Sequence, residues 1–191
     1  MFPVDAFRST LGKIMDILHR HNIRFHLTGG ITSVAYGEPR MTQDVDMVID
    51  NHAVVQQLES FLESLHSSDF VYDEETIRSA VSGSRMFQLL DSVEVMKLDM
   101  YPRELIPGEL ERSVQIEIFE GIAVPMASLP DTALAKLIYA RPKDIEDLQR
   151  LFTVQAGRLD LEYLRRWLPL IVPAGDSRLA LLEDLVTREP R

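Results

Sequence analysis

The chain contains no cysteine, which removes disulfide bonds, thiolate metal ligands and cysteine nucleophiles together. Catalysis, if present, must use other groups. No apolar run approaches the roughly 20 residues needed to cross a bilayer. Charges are scattered through the segment from Met1 to Arg20, so neither a signal peptide nor an anchor is expected, and the expected location is the cytoplasm. Positive charge is also short: 20 Lys and Arg against 30 Asp and Glu leave a formal net charge of −10. That excludes a broad basic surface for nucleic acid or anionic lipid, so a polyanionic partner must be met by a local positive site or by metal ions. There is one tryptophan, and basic and aromatic residues do not interleave as they do on single-strand binding platforms. Neither Gly-x-Gly-x-x-Gly, a Walker A sequence, nor His-x-x-x-His occurs, and no internal repeat or low-complexity segment is found.

What remains is a folded chain of 191 residues, 46% hydrophobic and 26% charged. At roughly 150 residues per domain this predicts one domain with a small appendage. Val4, Phe7, Leu11, Ile14, Ile17 and Leu18 recur at three- and four-residue steps and predict a helix over 4–20. A strand over Ile23 to Thr28, a short helix over Ile31 to Tyr36, a strand over Asp44 to Asp50 and a helix over Ala53 to Leu65 follow. A helix near Glu74 to Ala80 precedes a hairpin of Met86 to Leu90 and Val93 to Tyr101 turning at Asp91-Ser92. Two shorter strands, Val114 to Phe119 and Ile122 to Val124, come next. Beyond Ala127 the pattern is helical, with segments over Asp131 to Tyr139, Lys143 to Gln155, Leu161 to Leu168 and Arg178 to Thr187. The expected fold class is α/β (α+β): a small mixed β-sheet core flanked by helices over 1–126, and a helical C-terminal part over 127–191.

Three features carry chemistry. Asp44 and Asp46 stand two apart on a predicted strand, so both carboxylates leave one face while Val45 leaves the other. Such a pair suits a hard divalent cation, the alternative being two solvated acids at a strand end. Gly29-Gly30 lies between a strand and a helix, where backbone N–H groups can face an anion with no side chain in the way, or where the chain simply turns tightly. Asp99 stands in the strand-like run Val95 to Tyr101, either as a cheap strand-end acid beside Pro102 or, if its strand lies next to that of Asp44, as a third converging carboxylate. Tyr101 is the aromatic closest to this proposed site. Lys136 offers a point charge for phosphate or a solvated helix charge. Arg141, Lys143, Asp144 and Asp147 read as a local ion-pair network or, for Asp144, a helix cap after Pro142.

Leu27-Thr28-Gly29-Gly30, followed by Tyr36-Gly37, Arg40, Thr42 and Asp44-Val45-Asp46, resembles the nucleotidyltransferase signature of the DNA polymerase β superfamily. More narrowly it is similar to the minimal bacterial nucleotidyltransferases that include the AbiEii/MenT-like toxin enzymes. Ala135-Lys136-Leu137 and Arg141-Pro142-Lys143-Asp144 through Asp147-Leu148 resemble that family's helical C-terminal motif, so the resemblance spans about residues 23 to 152.

The resemblance implies a small mixed-sheet fold and an enzyme that moves a nucleoside monophosphate from an NTP to a hydroxyl-bearing acceptor, releasing pyrophosphate. It implies Mg2+, or Mn2+ in its place, on Asp44, Asp46 and Asp99, with these acids and Lys136 catalytic. Gly29, Gly30, Ser33, Arg40, Thr42, Lys136, Lys143, Asp144 and Asp147 would bind the nucleotide. The implied partners are an NTP, an acceptor such as tRNA, a protein side chain or a small molecule, and an antitoxin-like protein; no membrane is implied. The alternative function is an inactive nucleotide-sensing or regulatory protein-binding module on the same fold.

Overall fold

The computed structural model describes residues 4–37, 44–119 and 121–187. It divides into two compact units, one of residues 1–31 and 41–126, the other of 32–40 and 127–191.

The first unit begins with α1 (Val4–Arg20), β1 (Phe25–Thr28) and the first turn of α2 (Gly29–Tyr36). It continues through β2 (Asp44–Ile49), α3 (Asn51–Gln56), α4 (Leu58–His66), β3 (Phe70–Val71), α5 (Glu74–Ser82), β4 (Phe87–Asp91) and β5 (Met96–Tyr101), and ends with β6 (Val114–Phe119) and β7 (Ile122–Met126). The strands form one seven-stranded sheet in the order β3-β4-β5-β2-β1-β7-β6. β2 runs parallel to β5 and β1 parallel to β7, while the other pairs are antiparallel.

Strand periodicity divides the sheet's two faces by chemistry. Leu27, Val45, Met47, Ile49, Leu89, Leu98 and Met100 point to one side and are buried in a single apolar cluster with Phe7, Leu11, Ile14 and Leu18 of α1 and Phe61 and Leu65 of α4. By the same alternation the opposite side takes Thr28, Asp44, Asp46, Gln88, Lys97, Asp99 and Tyr101. Hydrophobic burial thus holds one face, which leaves the other to carry polar groups.

Three local expectations differ from what is observed. The helix expected over Ala53 to Leu65 is two helices broken at Gln57, the first started by the Asp50 carboxylate, which accepts the N–H groups of His52 and Ala53. β3 was not expected, because two residues are too few to display an alternation. The turn between β4 and β5 is longer than Asp91-Ser92: Asp91 closes β4, and its carboxylate accepts the N–H groups of Val93 and Glu94 at 3.0 and 3.2 Å, drawing the next residues into the turn.

Asp91 also anchors α1. Its side chain is fully buried and accepts from Thr10 Oγ1 at 2.8 Å and Lys13 Nζ at 3.1 Å. Burial alone would raise its pKa, but Thr10, Lys13 and the turn N–H groups outweigh it and hold the carboxyl below its ordinary value. Asp91→Ala is expected to cost about 3 kcal/mol. That corresponds to roughly 6–12 °C in a chain of this size, read by thermal unfolding. Because the folded-state pKa is depressed, this stability is present above the unfolded-state value and fades as pH falls through the folded one. The gap between variant and wild type therefore narrows in acid.

The second unit contains the rest of α2, α6 (Leu129–Tyr139), α7 (Pro142–Val154), α8 (Leu161–Ile171) and α9 (Ser177–Thr187). Ser128 caps α6 by accepting the N–H of Asp131, whose buried carboxylate in turn accepts the hydroxyls of Ser128 and of Tyr163 on α8. Tyr36 donates its hydroxyl to the Ala127 carbonyl at 2.9 Å, and Gln155 donates to the Tyr36 carbonyl. Among the described residues no helix is long and apolar enough to cross a membrane.

Candidate active site

The polar face of the sheet is assembled by register. Antiparallel pairing puts Thr28 of β1 opposite Asp46, and parallel pairing puts Asp99 opposite Asp46 and Lys97 opposite Asp44. Gln88 of β4 stands on the far side of Asp99 and donates its amide to Asp99 Oδ1 at 2.9 Å. Tyr101, one step along β5 on the same face, donates its hydroxyl to Asp46 Oδ1 at 3.2 Å.

Gly29 opens α2 with φ +65°, a conformation that favours glycine. A Cβ there would lie 2.0 Å from Asp46 Oδ2 and 2.5 Å from its Cγ, so the carboxylate fits only because no side chain is present. The Gly30 N–H donates to the same carboxylate. The glycine pair therefore does more than turn the chain; it seats Asp46.

Burial raises the pKa of Asp46, and the neighbouring Asp99 raises it further, with Asp44 adding to the effect. The N–H of Gly30 and the hydroxyl of Tyr101 offset this only in part. A carboxylate in that position would be relieved by a cation. One cation is already at hand: Lys97 Nζ lies 3.3 Å from Asp44 Oδ1 and 3.5 Å from Asp99 Oδ2. Burial tends to lower the Lys97 pKa, but Asp99 and Asp44 outweigh it and hold the ammonium above its ordinary value.

Among the described residues no three acidic or histidine side chains come close enough together to hold a metal ion. The donor chemistry nevertheless fits a hard divalent cation. All three acids offer oxygen only, one is pushed toward protonation by burial and by its like-charged neighbours, and a lysine ammonium stands between the other two.

Arg40 and Thr42 lie outside the described residues. Ser33 is buried in the second unit. Lys136 of α6 is buried in that unit, with Nζ 2.8 Å from Asp147 and 3.4 Å from Asp144 of α7. Asp144 also accepts the Arg141 backbone N–H at 3.2 Å and its guanidinium at 2.6 Å, capping α7. Lys143 is exposed. Sequence reasoning passed over Lys97 and Gln88, whose only signal was alternation with Asp99 on β5 and the facing position on β4.

Residues 14–184 match the family described as "Nucleotidyl transferase AbiEii toxin, Type IV TA system". The chain belongs to the AbiEii nucleotidyltransferase family. It is accordingly a nucleotidyltransferase of the AbiEii toxin type, and its mixed α/β fold is shared by a solved nucleotidyltransferase structure. The solution structure of the antibiotic-resistance factor ANT(2'')-Ia matches with a TM-score of 0.53 at 18% identity, covering 98% of this chain and 99% of that one. A nucleotidyltransferase-like protein from Paracoccidioides brasiliensis matches at a TM-score of 0.49 and 17% identity, over 95% and 94% of the two chains. The lincosamide antibiotic adenylyltransferase LnuA matches at 0.46 and 16%, over 75% and 95%. No curated protein sequence matches the chain. Within the AbiEii family, then, this chain carries its acids on β2 and β5 of one sheet, with the α2 glycines against them.

Proposed function

We propose that the protein transfers a nucleoside monophosphate from an NTP to a hydroxyl-bearing acceptor in a Mg2+-dependent reaction, with Mn2+ as a substitute metal. The observation that carries this is the in-register pairing of Asp46 with Asp99, with Gly29 pressed against Asp46, in an AbiEii-family chain. Asp44, Asp46 and Asp99 would hold the metal. When bound, it neutralises charge on the triphosphate and polarises the α-phosphate.

In this reading Asp99 takes the proton of the acceptor hydroxyl. The acceptor oxygen forms its bond to the α-phosphorus, the bond from that phosphorus to the β-phosphate oxygen breaks, and pyrophosphate leaves with the electron pair. Gln88 orients Asp99, and Tyr101 with the Gly30 N–H orients Asp46, so that neither carboxylate must reorganise during the reaction. The side-chain-free Gly29-Gly30 turn allows phosphate to approach the backbone. The family's toxin–antitoxin description supports an antitoxin that opposes this activity.

The test is incubation of the purified protein with Mg2+, each NTP labelled at the α-phosphate, and a cell extract separated into RNA, protein and small molecules. Label is expected in one fraction, with equimolar pyrophosphate. NTP binding without transfer into any fraction would favour the sensing module instead, and absence of both would remove the proposal.

A further inference from the structure

Like Lys13, Lys136 and Lys97 each face two aspartates, and the surroundings of these two differ. Lys136 is walled in: its side chain is 7% exposed, and its nearer ion pair, to Asp147, is 2.8 Å. Lys97 is open: its side chain is 37% exposed, and its contacts to Asp44 and Asp99 are 3.3 and 3.5 Å, longer than a direct charge-assisted hydrogen bond. The first is a fixed structural pair. The second is a shared ammonium with solvent beside it into which a flexible four-carbon stem can swing.

Building on the metal-dependent reading above, we infer that Lys97 is an internal counter-ion that occupies the cation position between Asp44 and Asp99 and competes with the divalent metal for it. The ammonium satisfies the two carboxylates while no metal is bound. A divalent ion carries twice the charge and approaches carboxylate oxygens at about 2.0–2.1 Å, so it displaces the lysine once its concentration is sufficient. Lys97 therefore sets the threshold for metal loading without being a ligand. The register makes this device: Lys97 faces Asp44 across the β2–β5 pair and stands two residues before Asp99 on the same face.

The test is a Mn2+ titration without nucleotide, with free Mn2+ followed by electron paramagnetic resonance. Lys97→Met is expected to bind Mn2+ about tenfold more tightly than wild type. Lys97→Gln, which keeps a hydrogen-bond donor but loses the charge, should match it and serves if the Met variant folds poorly. Lys97→Arg keeps the charge and should stay near wild type. In parallel, the melting temperature of the neutral variants should fall below wild type in chelator and recover with Mn2+. Equal or weaker Mn2+ binding by both neutral variants would overturn the inference while leaving the metal site standing. Absence of Mn2+ binding by every protein, wild type included, would overturn the metal reading and this inference with it.

Discussion

Asp46→Asn is expected to abolish nucleotide transfer while making the metal-free protein more stable. The catalytic loss should be on the order of 10^3-fold or more, because a neutral amide would hold the charge-neutralising divalent cation far less well than a carboxylate does. The gain in stability has a separate origin. Burial and the neighbouring Asp99 make ionised Asp46 unfavourable in the folded chain, and an amide of the same shape removes the charge while its oxygen can still accept from Tyr101. A rise of about 2–4 °C, the shift produced by ~1 kcal/mol in a chain this long, is expected in chelator. The sign with pH follows from the raised folded-state value. Stability from protonated Asp46 is complete below the unfolded value near 3.8 and is lost as pH rises through the folded one. The advantage of the variant is therefore absent in acid and appears toward neutral pH. Melting curves in EDTA across that range check it, and a variant less stable than wild type at neutral pH would contradict it.

Gly29→Ala is expected to damage fold and activity together. The new methyl would sit 2.0 Å from Asp46 Oδ2 and 2.8 Å from Asp46 Cβ, and the backbone at φ +65° is unfavourable for alanine before any contact is considered. Either Asp46 moves off its seat or the start of α2 shifts. A destabilisation of about 2 kcal/mol or more and a loss of at least roughly 10^2-fold in turnover follow. Gly12 in α1 is the internal control: nothing lies within 4 Å of an added Cβ there, and the residue is exposed mid-helix. Gly12→Ala should stabilise the chain by about 0.5–1 kcal/mol and leave turnover unchanged. Comparable losses from both substitutions would mean that Gly29 has no special relation to Asp46.

The parts of this protein that could be read locally are those with a strong local period. α1 declares itself by Phe7, Leu11, Ile14 and Leu18, all buried where the helical spacing puts them. The shared face of Asp44 and Asp46 follows from strand alternation alone. β3 and the break at Gln57 were not legible, since a two-residue strand has no period and the break interrupts an apolar pattern that otherwise continues. Asp91 looked like one residue of a tight turn, yet its buried carboxylate also fastens α1 to the hairpin, a long-range role that no local pattern encodes.

The amino-acid sequence by itself determined that chemistry must proceed without thiols, that two carboxylates share a strand face, and that a glycine pair precedes them at the start of a helix. The tertiary structure alone decided what those groups meet. Alternation states which residues of a strand lie on one face, whereas the identity and register of the neighbouring strand come from packing between distant segments. That pairing sets Asp99 against Asp46, closes Gly29 onto the carboxylate, and brings Lys97 between Asp44 and Asp99.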